Sequence, residues 1–328
     1  MSDYLHLLSR ISAFLAVLGL ACGLGMIVLC LLAGLFPLLD EFNHFQPFWL
    51  MASMLTLGLA WLGANPARLQ YATALVACNT VLFLAPILRL PAISTPVAAN
   101  IAANVSPPGA GTQLKILTFN MFVYNNRPER LAELILAEAP DIVVLQEATR
   151  DHHIDVLNRL LRDAYPWRRF CVTGQCDGAM LSKRPWLEFR QIERGDTAPP
   201  SVSARFDLGN GRMLRIVGTH LWNPKAPRRQ LREIEWLGRE LGRINDLVIV
   251  GGDFNFTPWT FALNRFEHTA RLVRHSGVGG TWRVSRYYPA MFPIDHIFAS
   301  PGIRLVSIAR GPSIGSDHLA VIATLQLP

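Results

Sequence analysis

Three charge-free apolar runs, residues 11–39, 48–64 and 71–88, follow one another near the N-terminus of this 328-residue chain. A helix that crosses a bilayer needs about 20 apolar residues, and a helix with no polar face has none to turn toward water. The runs therefore read as three transmembrane helices rather than buried helices of a soluble domain. A cleaved signal peptide is the rival reading of the first run. Arg10 precedes that run, and Leu18-Gly19-Leu20-Ala21-Cys22 is a poor approximation to a lipoprotein cleavage box. The run continues well past Cys22, however, and two more follow, which favours spans. No ionisable group interrupts them, so they read as an anchor rather than a transport path or sensor.

Charge divides the chain the same way. Up to residue 110 the charged side chains are Asp3, Arg10, Asp40, Glu41, Arg68 and Arg89, which cancel, so the net charge of +7 belongs to residues 111–328. That part is Arg-rich, with only Lys115, Lys183 and Lys225 as lysines. Residues 1–89 are expected to form the membrane anchor, residues 90–113 a flexible linker rich in Pro and Ala, and residues 114–328 a single catalytic domain. Arg10 before the first span, Asp40 and Glu41 in the first loop and Arg68 in the second place the N-terminus inside and the large domain outside. Arg89 argues weakly the other way. Cys171 and Cys176 are open between a short-loop disulfide, which needs an oxidising compartment, and two unrelated thiols.

The large part alternates strand and helix signals. The run 115–119 is a strand ending at Asn120. A helix follows, opened by Asn125-Asn126-Arg127-Pro128-Glu129 as polar cap, early Pro and early acid. The buried run 142–145 ends at Gln146-Glu147. Residues 154–161 read as helix and 178–182 as strand. Gly209-Asn210-Gly211 joins two strands as a hairpin, and the second of these delivers Thr219-His220. An amphipathic helix spans 228–241. The apolar run 247–250 then reaches Gly251-Gly252-Asp253-Phe254-Asn255, where the glycines are expected to turn the chain and present a carboxylate and a carboxamide on one side. Strands at 294–298 and 319–327 carry Asp295 and follow Ser316-Asp317-His318. Polar residues at the ends of buried strands are where open α/β folds place ligands.

Six stretches, Leu117-Thr118-Phe119-Asn120, Val144-Leu145-Gln146-Glu147-Ala148, Gly218-Thr219-His220-Leu221, Gly252-Asp253-Phe254-Asn255, Ile294-Asp295-His296-Ile297 and Ser316-Asp317-His318, resemble in order the motifs of the endonuclease/exonuclease/phosphatase family. The chain is similar to a bacterial subgroup in which a few membrane spans precede the domain. The resemblance implies a four-layer α/β sandwich, two mixed β-sheets flanked by helices, behind the three spans, and Mg²⁺- or Mn²⁺-dependent hydrolysis of a phosphoester. By position it assigns Glu147, Asn120 and Asp317 to the metal. Asp253 would activate water, Asn255 would hold a phosphate oxygen, His318 paired with Asp295 would stabilise or protonate charge on the phosphate, and His220 would be a second donor. The implied location is the bacterial inner membrane with the domain in the periplasm.

The residue types suit that chemistry in their own right, because carboxylates and a carboxamide are oxygen donors for a hard cation. His296 alternates with Asp295 and reads as structural. His152, His153, His268 and His275 read as solvated. For the substrate, the candidates are two loops. Residues 222–229 carry Arg228 and Arg229, and residues 281–293 carry Trp282, Arg283, Arg286, Tyr287 and Tyr288. Arg with interleaved aromatics fits a nucleic acid, a nucleotide or a phospholipid headgroup at a membrane surface. A silent binding module of the same fold is the alternative, and its mark would be a missing motif residue. None is missing.

Overall fold

The computed structural model describes residues 2–63, 65–88, 112–171, 176–277, 279–285 and 287–328. Most of the expected linker, together with Arg286, lies outside the described residues. The chain divides into two compact units, an N-terminal helical part and an α/β part.

The helical part contains α1 (Ser2–Leu32), a 3-10 helix (Pro37–Phe45), α2 (Gln46–Leu62) and α3 (Pro66–Leu88). Three segments are long and apolar enough to cross a membrane: His6–Leu32, Pro37–Leu62 and Pro66–Leu88. The first helix does not run to Leu39 as the apolar pattern suggested. It ends at Leu32, and Pro37, which cannot donate to a continuing helix, opens the 3-10 turn instead. The expected acidic loop is thus a structured turn, in which Asp40 is buried and accepts a hydrogen bond from the Asn43 Nδ2 at 2.9 Å. Small residues let the helices approach. Ala16, Ala60 and Ala72 form the contact core, and a side chain on Gly23 would run into Leu75.

The α/β part holds β1 (Gln113–Asn120), α4 (Pro128–Glu138), β2 (Ile142–Gln146), α5 (Asp151–Leu161), β3 (Trp167–Phe170), β4 (Gly178–Ser182), β5 (Glu188–Ile192) and β6 (Ser201–Asp207). It continues through β7 (Met213–His220), α6 (Pro227–Gly242), β8 (Leu247–Asp253), α7 (Phe261–Ala270), β9 (Val273–Arg274), β10 (Asp295–Ala299), β11 (Arg304–Arg310) and β12 (Val321–Gln326). Two six-stranded sheets result, ordered β11-β12-β1-β2-β4-β3 and β5-β6-β7-β8-β10-β9. Both are mixed and built alike. One central pair is parallel, β1 with β2 and β7 with β8, and every other pairing is antiparallel. Each parallel pair needs a crossover, which α4 and α6 supply.

Strand alternation makes the layers. Ile116, Val144, Met180, Val202, Ile216, Ile249 and Ile297 meet between the sheets. Their outward neighbours Leu117, Phe119, Val143 and Leu145 pack with Leu131, Ile135 and Leu157 of α4 and α5. On the other side Val217, Val248, Val250 and Phe298 pack with Ile234, Leu237, Leu263 and Phe266 of α6 and α7. Helix, sheet, sheet, helix is the four-layer sandwich.

Local details depart from the sequence pattern. The glycines before Asp253 do not turn the chain. Both lie within β8, where a Cβ on Gly251 would press on Thr118 at 3.3 Å and one on Gly252 would land on the Thr219 carbonyl oxygen. They are thin points that let neighbouring backbone and the facing sheet come close, and the turn falls at Asn255, whose φ is 54°. The helix α4 has Arg127 at its cap position with no side-chain cap, while the Asn125 Oδ1 accepts the Arg127 N–H at 3.0 Å just ahead of it. His153, expected in solvent, is buried with its Nε2 2.6 Å from the Asn125 carbonyl oxygen. Burial lowers its pKa.

Candidate active site

The parallel pairs end at the same edge of the two sheets, and the polar residues gather there. Asn120 is registered with Gln146 at the end of β1 and β2. His220 is registered with Asp253, and Asp253 with Asp295, across β7, β8 and β10. Glu147 leaves β2 with φ at 57°, a conformation that costs a non-glycine residue energy and recurs where a side chain must be aimed.

Asn120 joins the two sheets. Its Nδ2 donates to the Glu147 Oε1 at 3.0 Å and to the Asp253 Oδ2 at 3.1 Å, while its Oδ1 accepts the Phe122 N–H. The other Glu147 oxygen accepts the Val123 N–H at 2.8 Å. Two Asp–His pairs converge on the same Asp253 oxygen. His318 Nδ1 lies 2.8 Å from the Asp295 Oδ2, and its Nε2 lies 3.6 Å from the Asp253 Oδ2. His220 Nδ1 lies 2.7 Å from the Asp177 Oδ2, and its Nε2 lies 3.5 Å from the Asp253 Oδ2. Asp253, Asp295 and His318 are buried.

The charges follow from this arrangement. Burial by itself would lower the pKa of His220, but Asp177, with help from Asp253 and Glu147, outweighs it and raises the value to about 9. Burial is likewise overcome at His318 by Asp295, Asp253 and Asp317, which raise it to about 10. Both imidazoles are cationic at neutral pH. Burial pushes Asp253 up to about 6, assisted by Asp295 and opposed by His318, His220 and the Asn120 amide.

The remaining expected residues take other positions. Asn255 Nδ2 donates to the Leu221 carbonyl at 2.9 Å, and its backbone N–H binds the Asp253 Oδ1, so the residue braces the turn. Asp317 Oδ2 accepts the Trp282 indole N–H at 3.0 Å, and the Asp317 carbonyl accepts the Arg283 N–H, which ties the 281–293 loop to the strand end. The Arg283 guanidinium reaches the Ser313 hydroxyl. The loop is split: Trp282 packs on Phe292, while Val284, Tyr287 and Tyr288 are exposed. Arg228 is exposed, and Arg229 lies over the Trp222 ring. His296 is buried between the Ser276 hydroxyl and the Phe256 carbonyl, with its pKa pushed down to about 3 by burial.

Two residues of the site were not anticipated. Asp177, the partner of His220, sits one residue ahead of β4, an acid at a strand start with nothing beside it to mark it. Cys176 precedes it and is joined to Cys171 by a disulfide, which resolves the choice left open by the sequence and brings that pair to the site. Arg194 is the other. With Glu147, Asp177, His220, Trp222 and Asn223 it lines a cleft of about 480 Å³.

A hard divalent cation finds its donor type here, since Glu147 offers a carboxylate into the cleft. Asn120 as arranged turns its nitrogen to Glu147 and its oxygen to the Phe122 N–H, so its amide would have to reverse to act as a ligand. Among the described residues, Asp253, Asp295 and His318 also lie within ligating distance of one another. Both ring nitrogens of that histidine face carboxylates, which describes an ion-paired imidazolium.

The fold is shared with solved structures. Sphingomyelinase C from Streptomyces griseocarneus is 19% identical over 65% of this chain and 99% of its own, with a TM-score of 0.51. TDP2 from D. rerio, complexed with single strand DNA product, is 16% identical over 65% and 99%, with a TM-score of 0.55. Beta toxin from Staphylococcus aureus, in a mutant with bound magnesium ions, is 14% identical over 66% and 100%, with a TM-score of 0.52. No curated protein matches the chain by sequence. The Endonuclease/Exonuclease/phosphatase family pattern matches residues 117–318, from the middle of β1 to the histidine that faces Asp253. With most of its length matched in this way, the chain belongs to that family.

Proposed function

We propose that this protein is a membrane-anchored, divalent-cation-dependent phosphoesterase that cleaves its substrate by water attack. The observation that carries the reading is the Asp253 Oδ2, on which two imidazoles and the Asn120 amide converge. At 3.5 and 3.6 Å neither imidazole is at hydrogen-bonding distance, so this oxygen keeps a position for a further partner. That partner is the attacking water, and Asp253 takes its proton. His220 and His318, held cationic by Asp177 and Asp295, donate to phosphoryl oxygens as negative charge grows. Glu147, with Asn120 after its amide reverses and with Asp317, would hold Mg²⁺ or Mn²⁺. A bound cation supplies Lewis-acid neutralisation of the phosphoryl group. Asn255 keeps one N–H for a phosphate oxygen, since its other partner is the Leu221 carbonyl.

The three apolar helices fit an anchor in a bacterial inner membrane. The Cys171–Cys176 disulfide favours an oxidising, periplasmic side for the domain. Nucleic acid, nucleotide and phospholipid headgroup are the substrate classes considered, by analogy with the DNA-bound and sphingomyelinase neighbours. The reading is tested by hydrolysis of bis-p-nitrophenyl phosphate, single- and double-stranded DNA, sphingomyelin and inositol phosphates in Mg²⁺, Mn²⁺ or EDTA. At least one should be cut in a way that EDTA abolishes. Silence on the whole panel would leave a binding module.

A further inference from the structure

The cleft beside His220 has a cationic wall that the chemistry above does not use. Arg194 lies in the segment between β5 and β6 and lines the cleft with Trp222 and Asn223. Its guanidinium stands 4.6 Å from the Trp222 ring centroid, and that of Arg229 stands 4.4 Å away. One buried carboxylate serves both. Glu233, fully shielded on α6, accepts the Arg194 Nη1 at 2.6 Å, lies 3.8 Å from the Arg229 Nε, and accepts the Trp222 N–H at 2.6 Å. The Arg194 Nη2 donates to the His220 carbonyl at 3.1 Å, which places this guanidinium next to a histidine that faces Asp253.

A buried acid shared by two guanidiniums leaves one positive charge in surplus. A buried carboxylate of this kind also fixes the direction of the forks it holds, at a desolvation cost that a mere surface ion pair does not carry. Lys225 in the loop after Trp222 and Arg228 in the first turn of α6 are exposed nearby, and neither lines the cleft. Glu193 and Asp196 flank Arg194 in the chain, but they are exposed and do not line the cleft. Two guanidiniums already lie against the Trp222 ring, so a trimethylammonium group placed there would meet like charge. An arginine fork on a cleft wall matches a phosphate.

We infer that Arg194, with Arg229 supporting it from beside the Trp222 ring, is a specificity site for a second phosphate on the substrate, beside the phosphoester under attack. The inference rests on the phosphoesterase reading and names its substrate class as a polyanionic phosphoester rather than a choline-type headgroup. Arg194 uses two of its five N–H groups on protein acceptors, and the fork retains donors for the ligand.

The test is equilibrium binding of adenosine 3′,5′-bisphosphate, adenosine 5′-monophosphate and phosphocholine to the full-length protein in Mg²⁺. The bisphosphate should bind about tenfold or more tighter than the monophosphate, and phosphocholine weakest. Arg194→Gln should erase the bisphosphate preference, and Arg194→Lys should keep part of it. Should Arg194→Gln fail to fold because Glu233 loses a partner, Arg229→Gln, at a side chain one-third exposed, should reduce the same ratio. Equal affinity for the two nucleotides, tighter binding of phosphocholine, or a ratio unmoved in both Gln variants would overturn the inference. Hydrolysis of bis-p-nitrophenyl phosphate is followed in parallel. Turnover without a bisphosphate preference sinks this inference and leaves the phosphoesterase reading, whereas the preference with silence on the whole hydrolysis panel sinks that reading and leaves Arg194 in a cleft that only binds a bisphosphate.

Discussion

Asp253 carries a carboxylate whose surroundings push it in opposite directions, and its ionisation sets one limit on the chemistry. Burial favours its neutral form, and the two imidazolium rings favour its anion. As a base it must be ionised, so turnover should fall as pH drops through about 6. His220 must remain protonated to donate, so turnover should fall again as pH rises through about 9. Asp177→Asn separates these limits. Removing the carboxylate that raises His220 lowers its pKa, so the alkaline limb of the pH–rate profile should move down while the acid limb stays. An alkaline limb that does not move would exclude Asp177 as the support of His220. Asp253→Ala and His318→Ala should each cost roughly 10²–10⁴-fold or more in turnover with the fold retained, read by hydrolysis rate and circular dichroism.

At the scale of elements, the glycines of the central strands control how the halves of the site meet. A side chain on Gly218 would collide with Val144 of the facing sheet, whereas one on Gly252 would collide with the Thr219 backbone of the neighbouring strand. Gly218→Val should therefore act as overpacking of the inter-sheet core and cost about 1–3 kcal/mol of stability. Gly252→Ala spreads β7 from β8 at the step that sets His220 beside Asp253, so turnover should fall about 10²-fold, beyond what its loss of stability explains. Denaturant titration and rate measurement on the two variants separate the effects.

What the sequence reveals at this scale follows from burial. Most of the eight inner strands are apolar on both faces or close to it and are visible as runs, while β6, with Ser and Arg on one face, is visible through its hairpin with β7. The four that were not anticipated, β3, β5, β9 and β11, are the four sheet edges. An edge strand is covered on fewer sides and tolerates charge, so β5 reads Glu188-Phe189-Arg190-Gln191-Ile192 and β11 begins and ends with Arg. β11 also carries a register shift between Leu305 and Ser307, which breaks its period. The site divides by the same logic. Asn120, Glu147, His220 and Asp253 end or follow buried strands and Asp295 opens one, so they stand out against apolar runs, whereas Asp177 and Arg194 lie in connecting segments where a charged residue is ordinary. Only the fold brings them to the cleft.

At the scale of the whole molecule, charge and hydropathy separate the two units. Net charge resides entirely in residues 111–328, and the apolar helices belong to residues 2–88. The α/β unit encloses its own cores between the sheets and under both helix layers, and the acids, amide and imidazoles of the candidate site all come from it. A domain of this size buries enough surface to fold without help. Residues 112–328 expressed alone should therefore give a water-soluble protein that keeps the turnover of the full chain on a small diester such as bis-p-nitrophenyl phosphate. It should no longer sediment with membranes. A phosphatase reporter fused after Pro328 of the full chain should be active only if the domain lies outside the cytoplasm, and thiol trapping should then find Cys171 and Cys176 oxidised until a reductant is added. A truncated chain that folds but has lost turnover would show that the helices contribute more than attachment, because every residue assigned to the chemistry is still present in it.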